Sequence, residues 1–409
     1  MEGSVVTASA ATVRESAERV SAALEEVVRR LELPSRSPRD LARRLNVHRT
    51  LASRLLAALK MSDSLAVVSN LPGRQGLNLI LQSAAEIIGP ETVDRAQAAL
   101  HEFESIVENG LGGRDVLEVA LGAWLPETRD RFELGCKQQV YRGLCGLVGA
   151  TADVSIGALI RYPSEDGLNA NQILLFGLVG LRRLYPGADI PIGTLGLIPG
   201  TRTPTGAVIE NLPGSPDPNG APLIAEFCSP SLPPLREIRL GNYRQYLLPG
   251  ESIGSNSTVD IFTGLLVRNI GPLCNPPFGP QRRTGGANMV EVPTKSMIMD
   301  LFVEERETPL KGVQMFVHRT GQRGGVDPND PLREIDRVRS NEVVKVLGSG
   351  PDRFGMSEVY RYPELIRYVC DRVGLDWSTL VGHRCRVEYP LPHLQYSMGF
   401  ELPPDPEKS

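Results

Sequence analysis

Between Thr12 and Leu33 the apolar residues fall at Val13, Ala17, Val20, Leu24, Val27 and Leu31, in alternating steps of four and three. That spacing gathers them on one stripe and predicts an amphipathic helix with a single buried face. Thr12 and Glu15 stand at capping-box spacing at its start, and Pro34 stops it. The same pattern predicts a helix in LNLILQSAAEII (77–88). It predicts another in PETVDRAQAALHEFESIVEN (90–109), where Val93, Ala96, Leu100, Phe103 and Val107 share a face and Pro90 suits the first helical position. A further helix opens on Pro126 and closes on Gly149. Its internal Gly135, Gly143 and Gly146 cost about 1 kcal/mol each relative to alanine, and permit a close helix neighbour or a kink.

After Gly149 the pattern changes. VSIGALIRYP, NQILLFGLVGLRRLY, REIRLGNYRQYLL, STVDIFTGLLVRN, KSMIMDLFVEE and VQMFVH have strand composition. HRCRVEYPLPHLQYSMGFEL near the end reads as a pair of strands around Pro390-Leu391-Pro392. One helix lies among them, started by Pro363, with Leu365, Ile366, Val369, Cys370 and Val373 as its buried stripe. Segments 199–235 and 271–288 are rich in proline and glycine and are expected to be long loops. No internal repeat is visible. The longest apolar run, Ile173 to Leu181, is too short to span a bilayer and reads as a buried strand.

One stretch departs from the rest in charge. SPRDLARRLNVHRTLASRLLAALK, Ser37 to Lys60, carries six basic residues against one acid, in a chain of net charge −4. Ser37 suits an N-cap, Pro38 the first helical position, and Asp40 the positive end of the helix dipole. Leu41, Ala42 and Leu45 form an inward face. Asn46 follows, a residue that tolerates the left-handed conformation of a tight turn. A second helix then starts around His48 to Thr50, with Ala52, Leu55, Leu56 and Leu59 inward. Its opposite face carries Arg49, Thr50, Ser53, Arg54 and Ala57.

In DLARRLNVHRTLASRLL this sequence resembles the DNA-binding segment of bacterial helix-turn-helix transcriptional regulators, particularly winged-helix types such as the MarR, IclR and GntR families. The turn common in those families, Gly-Val-Ser, is here Asn46-Val47-His48. The resemblance covers about 25 residues strongly, or about 50 with the preceding helix. It implies double-stranded DNA as partner, with Arg49, Thr50, Ser53 and Arg54 contacting base edges and Arg39, Arg43, Arg44 and Lys60 contacting phosphates. A winged helix should continue into a basic β-hairpin. The segment SDSLAVVSNLPGRQGLNLIL has two readings: LAVVSN as a strand with LPGRQG as a wing tip carrying Arg74, or Ser62 as the cap of a short helix, with Leu71-Pro72-Gly73 a loop before the next one. The balance falls to the helical reading. A plain helical hairpin with a solvated basic face is the competing structural account of the whole stretch.

Other chemistry is sparse. The Gly-Glu-Ser-Ile-Gly at 250–254 matches the spacing of a hydrolase elbow, but a strand rather than a helix is expected after it, so Ser252 is not assigned as a nucleophile. Asp327, Asn329, Asp330 and Asp336 cluster without calcium-loop spacing and read as a solvated turn before a helix. His383, Cys385 and His393 could lie near one another, but ordinary packing is the default. The six cysteines show no Cys-x-x-Cys and read as reduced thiols. No phosphate-binding glycine loop is present, and neither a cofactor nor a metal is assigned. The N-terminus lacks the basic and apolar runs of a secretory leader, which points to the cytoplasm.

The expected fold class is α+β: an all-helical N-terminal region with a helix-turn-helix, followed by a strand-rich α/β C-terminal module. Residues 1–11 are expected to be a tail, 12–75 the DNA-binding domain, 76–149 a helical linker or dimerisation region, and 150–409 a module for ligand sensing or assembly. The function expected is a sequence-specific DNA-binding transcriptional regulator without enzymatic activity, a homodimer, with a possible small-molecule effector and no membrane association. Two alternatives stand beside it: a helix-turn-helix used for protein assembly, and an enzyme carrying a DNA-targeting domain.

Overall fold

In a computed structural model, residues 9–195, 206–215, 220–240, 243–275, 280–305 and 312–404 are described. The chain divides into two compact units, Met1–Cys136 and Lys137–Ser409. The first is helical and the second rich in strands, so the fold class is α+β.

The helical unit contains α1 (Ala10–Arg30), α2 (Pro38–Leu45), α3 (Arg49–Leu59), α4 (Ser64–Asn70), α5 (Arg74–Ile88), α6 (Pro90–Ser105), a π-helical turn (Ile106–Leu111), α7 (Arg114–Trp124) and the start of α8 (Pro126–Val148). All six residues of the predicted stripe on α1 are buried. The helix starts three residues earlier than its capping-box spacing suggests, because Ser9 is the N-cap and accepts a hydrogen bond from the Thr12 amide at 3.2 Å. One apolar cluster runs from Val13 to Leu125 and joins α1 to the helices that follow, so the basic segment is rooted in the core of the whole unit.

The wing is a correction to the family pattern. Residues 64–76, where a basic hairpin would stand, form α4 and the first turn of α5. Asp63, not Ser62, caps α4. It accepts from the Leu65 amide at 2.9 Å and from Arg14 of α1 at 2.8 Å, which ties the two helices together. Leu65, Val67 and Val68 are buried, and a strand would have turned this helical set apart. Arg74, the expected wing tip, begins α5 and lies 3.8 Å from Glu104. Leu51 of α3 packs against Gly76, where a Cβ would come within 2.7 Å of its methyl group. The missing side chain lets α5 approach α3 from the inside.

The second unit is built on a seven-stranded sheet in the order β12-β13-β9-β1-β2-β7-β4, all neighbours antiparallel except β1 and β9. Its members are β1 (Ala150–Pro163), β2 (Asn169–Arg183), β4 (Val208–Asn211), β7 (Val259–Pro272), β9 (Thr294–Glu304), β12 (Val344–Ser349) and β13 (Leu380–Glu388). The sheet is covered on both faces, which is why β1 and β2 read as near-continuous apolar runs. On one face α9 (Tyr362–Asp371) seats Leu365, Ile366 and Val369 against Ile156, Ile160 and Phe302. On the other, Met299, Leu301, Cys385 and Val387 meet Val317, Tyr396 and Met398 of a four-stranded sheet, β11-β10-β14-β8. That sheet is formed by β8 (Arg283–Met289), β10 (Gln314–Arg319), β11 (Arg337–Val338) and β14 (Leu394–Glu401). A third sheet pairs β3 (Ile190–Leu195) and β5 (Arg236–Leu240) with β6 (Tyr243–Leu248).

Two expectations change here. The C-terminal strands β13 and β14 are both present, but they belong to different sheets and do not pair with each other. Tyr389 and His393, both at positive φ, carry the chain from one layer to the other. The expected loops 199–235 and 271–288 contain β4 and β8, while residues 199–205, 216–219 and 276–279 lie outside the described part of the chain. The layers are pinned by a buried ionic group. Asp300 of β9 receives two hydrogen bonds from Arg384 of β13, at 2.8 and 2.7 Å, and one from the Tyr362 hydroxyl of α9 at 2.7 Å. Arg384 also donates to the Phe354 and Gly355 carbonyls. Burial pushes the Asp300 carboxyl above its ordinary value and Arg384 opposes that shift, while burial beside Asp300 drives the Tyr362 hydroxyl well above its own.

Candidate functional site

The basic segment forms two helices around a tight turn. The Ser37 hydroxyl caps α2 by accepting from the Asp40 amide at 3.2 Å. Hydrogen bonds from Ser35 and Ser37 hold the Asp40 carboxyl below the usual carboxylate range. Asn46 is left-handed, with φ 49° and ψ 43°, and the Val47 amide closes the turn on the Ala42 carbonyl at 3.1 Å. Leu41, Leu45, Ala52, Leu55 and Leu56 are buried, as the apolar spacing requires. His48 stands where the spacing places the start of the second helix. It is the N-cap of α3, its Nδ1 accepting from the Thr50 amide at 3.3 Å. Histidine is uncommon as a cap, so composition carries no signal for it.

Every residue assigned to DNA is exposed. Arg49, Thr50, Ser53 and Arg54 share the outward face of α3, and Arg39, Arg43 and Arg44 stand on α2, with Lys60 at the end of α3. Among the described residues Arg39, Arg44, Arg49, Arg54 and Lys60 make no ion pair, and Arg43 reaches Asp40 only at 4.0 Å. Elsewhere in this unit arginines are paired: Arg14 with Asp63, Arg19 with Glu102, and Arg29 and Arg30 with Glu26. The arrangement holds unneutralised cations and short hydroxyl side chains on one ridge, a surface suited to a polyanion.

The second unit contains a cleft of about 820 Å³ between β8 and the face of β1, β2 and β7. Register places its floor in rows: Arg161–Gln172–Val267, then Leu159–Leu174–Leu265, then Gly157–Phe176–Thr263, then Ser155–Leu178–Ile261. Strand β8 crosses this floor. A Cβ on Gly286 would meet Leu159, and one on Gly157 would meet the Asn288 amide. Asn288 is buried and its Nδ2 has no hydrogen-bond partner among the described residues. Arg161 is 1 % exposed and donates to the Pro272 carbonyl at 2.7 Å. Nothing in the sequence marked this cleft, because its walls come from strands far apart in the chain.

The remaining motifs are structural. Ser252 is exposed, and Gly254–Ser257 is a single 3-10 turn leading into β7, so the strand-turn-helix of a hydrolase elbow is absent there. The carboxylates of Asp327 and Asp330 cap the amides of Asn329 and Leu332, and Asp336 pairs with Arg333. His383 and Cys385 are buried in β13, whereas His393 lies in the exposed turn before β14. Among the described residues no cluster of His, Cys, Asp or Glu is arranged to hold a metal. All six cysteines are free thiols, and burial pushes Cys370 and Cys385 up to about 12, which leaves them unreactive. No helix among the described residues is long and apolar enough to cross a membrane.

No family model matches the chain, and no curated protein is similar to it by sequence. Among solved structures, one from Parabacteroides distasonis named a "putative protease" shares 8% identity over 61% of this chain, with a TM-score of 0.25. This chain spans 40% of that one, and the likeness is too slight to bear on fold or activity.

Proposed function

We propose that the protein is a DNA-binding transcriptional regulator that engages duplex DNA through α2 and α3. The observation that carries this reading is the conjunction, on one exposed ridge, of five cations without ion pairs among the described residues and the hydroxyls of Thr50 and Ser53 around a left-handed Asn46 turn. Arg49, Thr50, Ser53 and Arg54 read base edges, and Arg39, Arg43, Arg44 and Lys60 hold phosphates. With α4 and α5 in the place of a wing, recognition rests on the major groove. The proposal includes a cytoplasmic location, which six free thiols suit.

The test is a titration of a labelled duplex library at two salt concentrations. Binding should weaken steeply with salt through counterion release. Arg49→Ala or Arg54→Ala should relax preference at one base position, at roughly 1–3 kcal/mol, and Arg43→Ala should weaken all sequences alike. No binding at low salt would leave the ridge as a protein-contact surface.

A single helix-turn-helix reads few base pairs, so the proposal extends to a homodimer on paired half-sites. Gly135, Gly143 and Gly146 have open space where a Cβ would stand, and Val140 and Leu147 on the same helix are exposed. These features suit α8 as the dimer contact. Light scattering at tens of micromolar should give twice the monomer mass, and a monomer in the presence of DNA would overturn this part.

A further inference from the structure

We infer that the cleft of the strand-rich unit is a binding site for an amphipathic carboxylic acid with a medium to long alkyl chain. The inference stands apart from DNA binding and is tested without DNA. The floor is polarised along the strands. At one end the row is Arg161–Gln172–Val267, and β8 brings Arg282 and Arg283 to the lining there. One carboxylate, Asp327, lines the cleft near them, because Asn329 two residues on clamps the Arg283 backbone. Beyond Arg161, whose fork is engaged within the fold, Arg282 and Arg283 outnumber Asp327 two to one in the lining at that end. The next rows, with Leu159, Leu174, Leu265 and Phe176, are apolar, and Leu178, Ile261, Ile192 and Val290 continue that character as far as Glu291, a lining carboxyl that burial pushes above its ordinary value.

From Arg161 to Ser155 the floor is six residues long, about 20 Å at strand rise. A long apolar trough with cations at one end complements an anion with a hydrocarbon tail. A compact polar anion would leave the apolar rows exposed to water, and a neutral chain would forgo a charge-assisted hydrogen bond to Arg283 at the rim. The volume falls in the range of small-molecule sites.

The experiment uses the full-length protein and a dansyl-labelled fatty acid as fluorescent probe, displaced by dodecanoate, dodecanol or dodecylammonium. Dodecanoate should compete roughly tenfold or more tightly than dodecanol, the scale of one charge-assisted hydrogen bond, with dodecylammonium weakest. Leu174→Trp fills the middle of the trough and should abolish probe binding. Arg283→Gln, half-buried at the rim, should shrink the preference for acid over alcohol at least roughly threefold, about half the logarithm of that tenfold gap. It keeps the test decisive if Leu174→Trp does not fold. Absence of probe binding overturns the inference. So does equal competition by acid and alcohol, an unchanged preference in Arg283→Gln, or undiminished binding by a folded Leu174→Trp.

Discussion

Arginine does opposite work in the two units. In the helical unit Arg39, Arg44, Arg49 and Arg54 stand in water with no ion pair among the described residues. In the strand-rich unit Arg183, Arg333 and Arg384 are wholly or largely buried and donate inward. Arg183 reaches the Ala188 and Leu248 carbonyls, and Arg333 reaches Gly324, Gly325 and Asp336. These forks hold loop carbonyls and the end of β6 to the body of the unit. A count of basic residues cannot separate the two uses. Helical spacing can, because it predicts which side chains face away from the core.

The sharpest way to break this comparison is to remove one arginine of each kind. Arg384→Leu leaves Asp300 buried without its counter-charge and should cost roughly 3–5 kcal/mol in urea denaturation. Arg54→Ala should stay within about 0.5 kcal/mol, since it removes an exposed side chain without a partner. Equal losses would show that the α3 ridge is structural after all.

Glycines sharpen the contrast at smaller scale. Gly285 and Gly399 face each other across β8 and β14, and a Cβ on Gly399 would lie 2.3 Å from the Thr284 carbonyl oxygen. Gly399→Ala should cost roughly 1–3 kcal/mol by forcing these backbones apart. Gly135→Ala in α8, where a Cβ meets open space, should instead stabilise by about 0.5–1 kcal/mol. Thermal melting of the two variants checks the opposite signs.

The smallest expected difference is in acid response. His318 and His383 are buried, and burial pushes both imidazoles below their usual range. A histidine depressed in the folded state adds stability above its unfolded pKa, about 6.5, which is lost as pH falls toward the folded value. The helical unit holds only His48 and His101, both exposed. Lowering pH from about 7 to about 5, across that unfolded value, should therefore lower the amide-exchange protection of β9, β10 and β13 relative to free-peptide rates at each pH, while leaving that of α1 and α5 unchanged. Uniform loosening of both units would break the comparison.

Where a segment's own spacing records which of its side chains are buried, its pattern is readable. The stripes of α1, α3 and α9 and the apolar runs of β1, β2, β7 and β9 identify their elements, and Asn46 marks its turn. The α2–α3 ridge was legible residue by residue, because two capped helices and one turn place all of its side chains. Other elements left no such trace. The segment Arg114–Trp124 follows two glycines and is one turn away from a π-helix, and its helix went unread. Strand β8, Arg-Thr-Gly-Gly-Ala-Asn-Met, has no alternation of apolar and polar residues.

Periodicity and capping, which act over a few residues, settled the helical start, the strand-rich remainder and the exposed basic ridge. Pairing partners act over the whole chain and were settled only by the folded molecule. Strand β8 exists because Gly285 fits against Gly399, more than a hundred residues later. The strands β13 and β14 part to different sheets because each finds a better partner than its neighbour, β9 for one and β10 and β8 for the other. The cleft follows from that parting. Its floor belongs to one sheet and its wall to another, so no short window of sequence contains it.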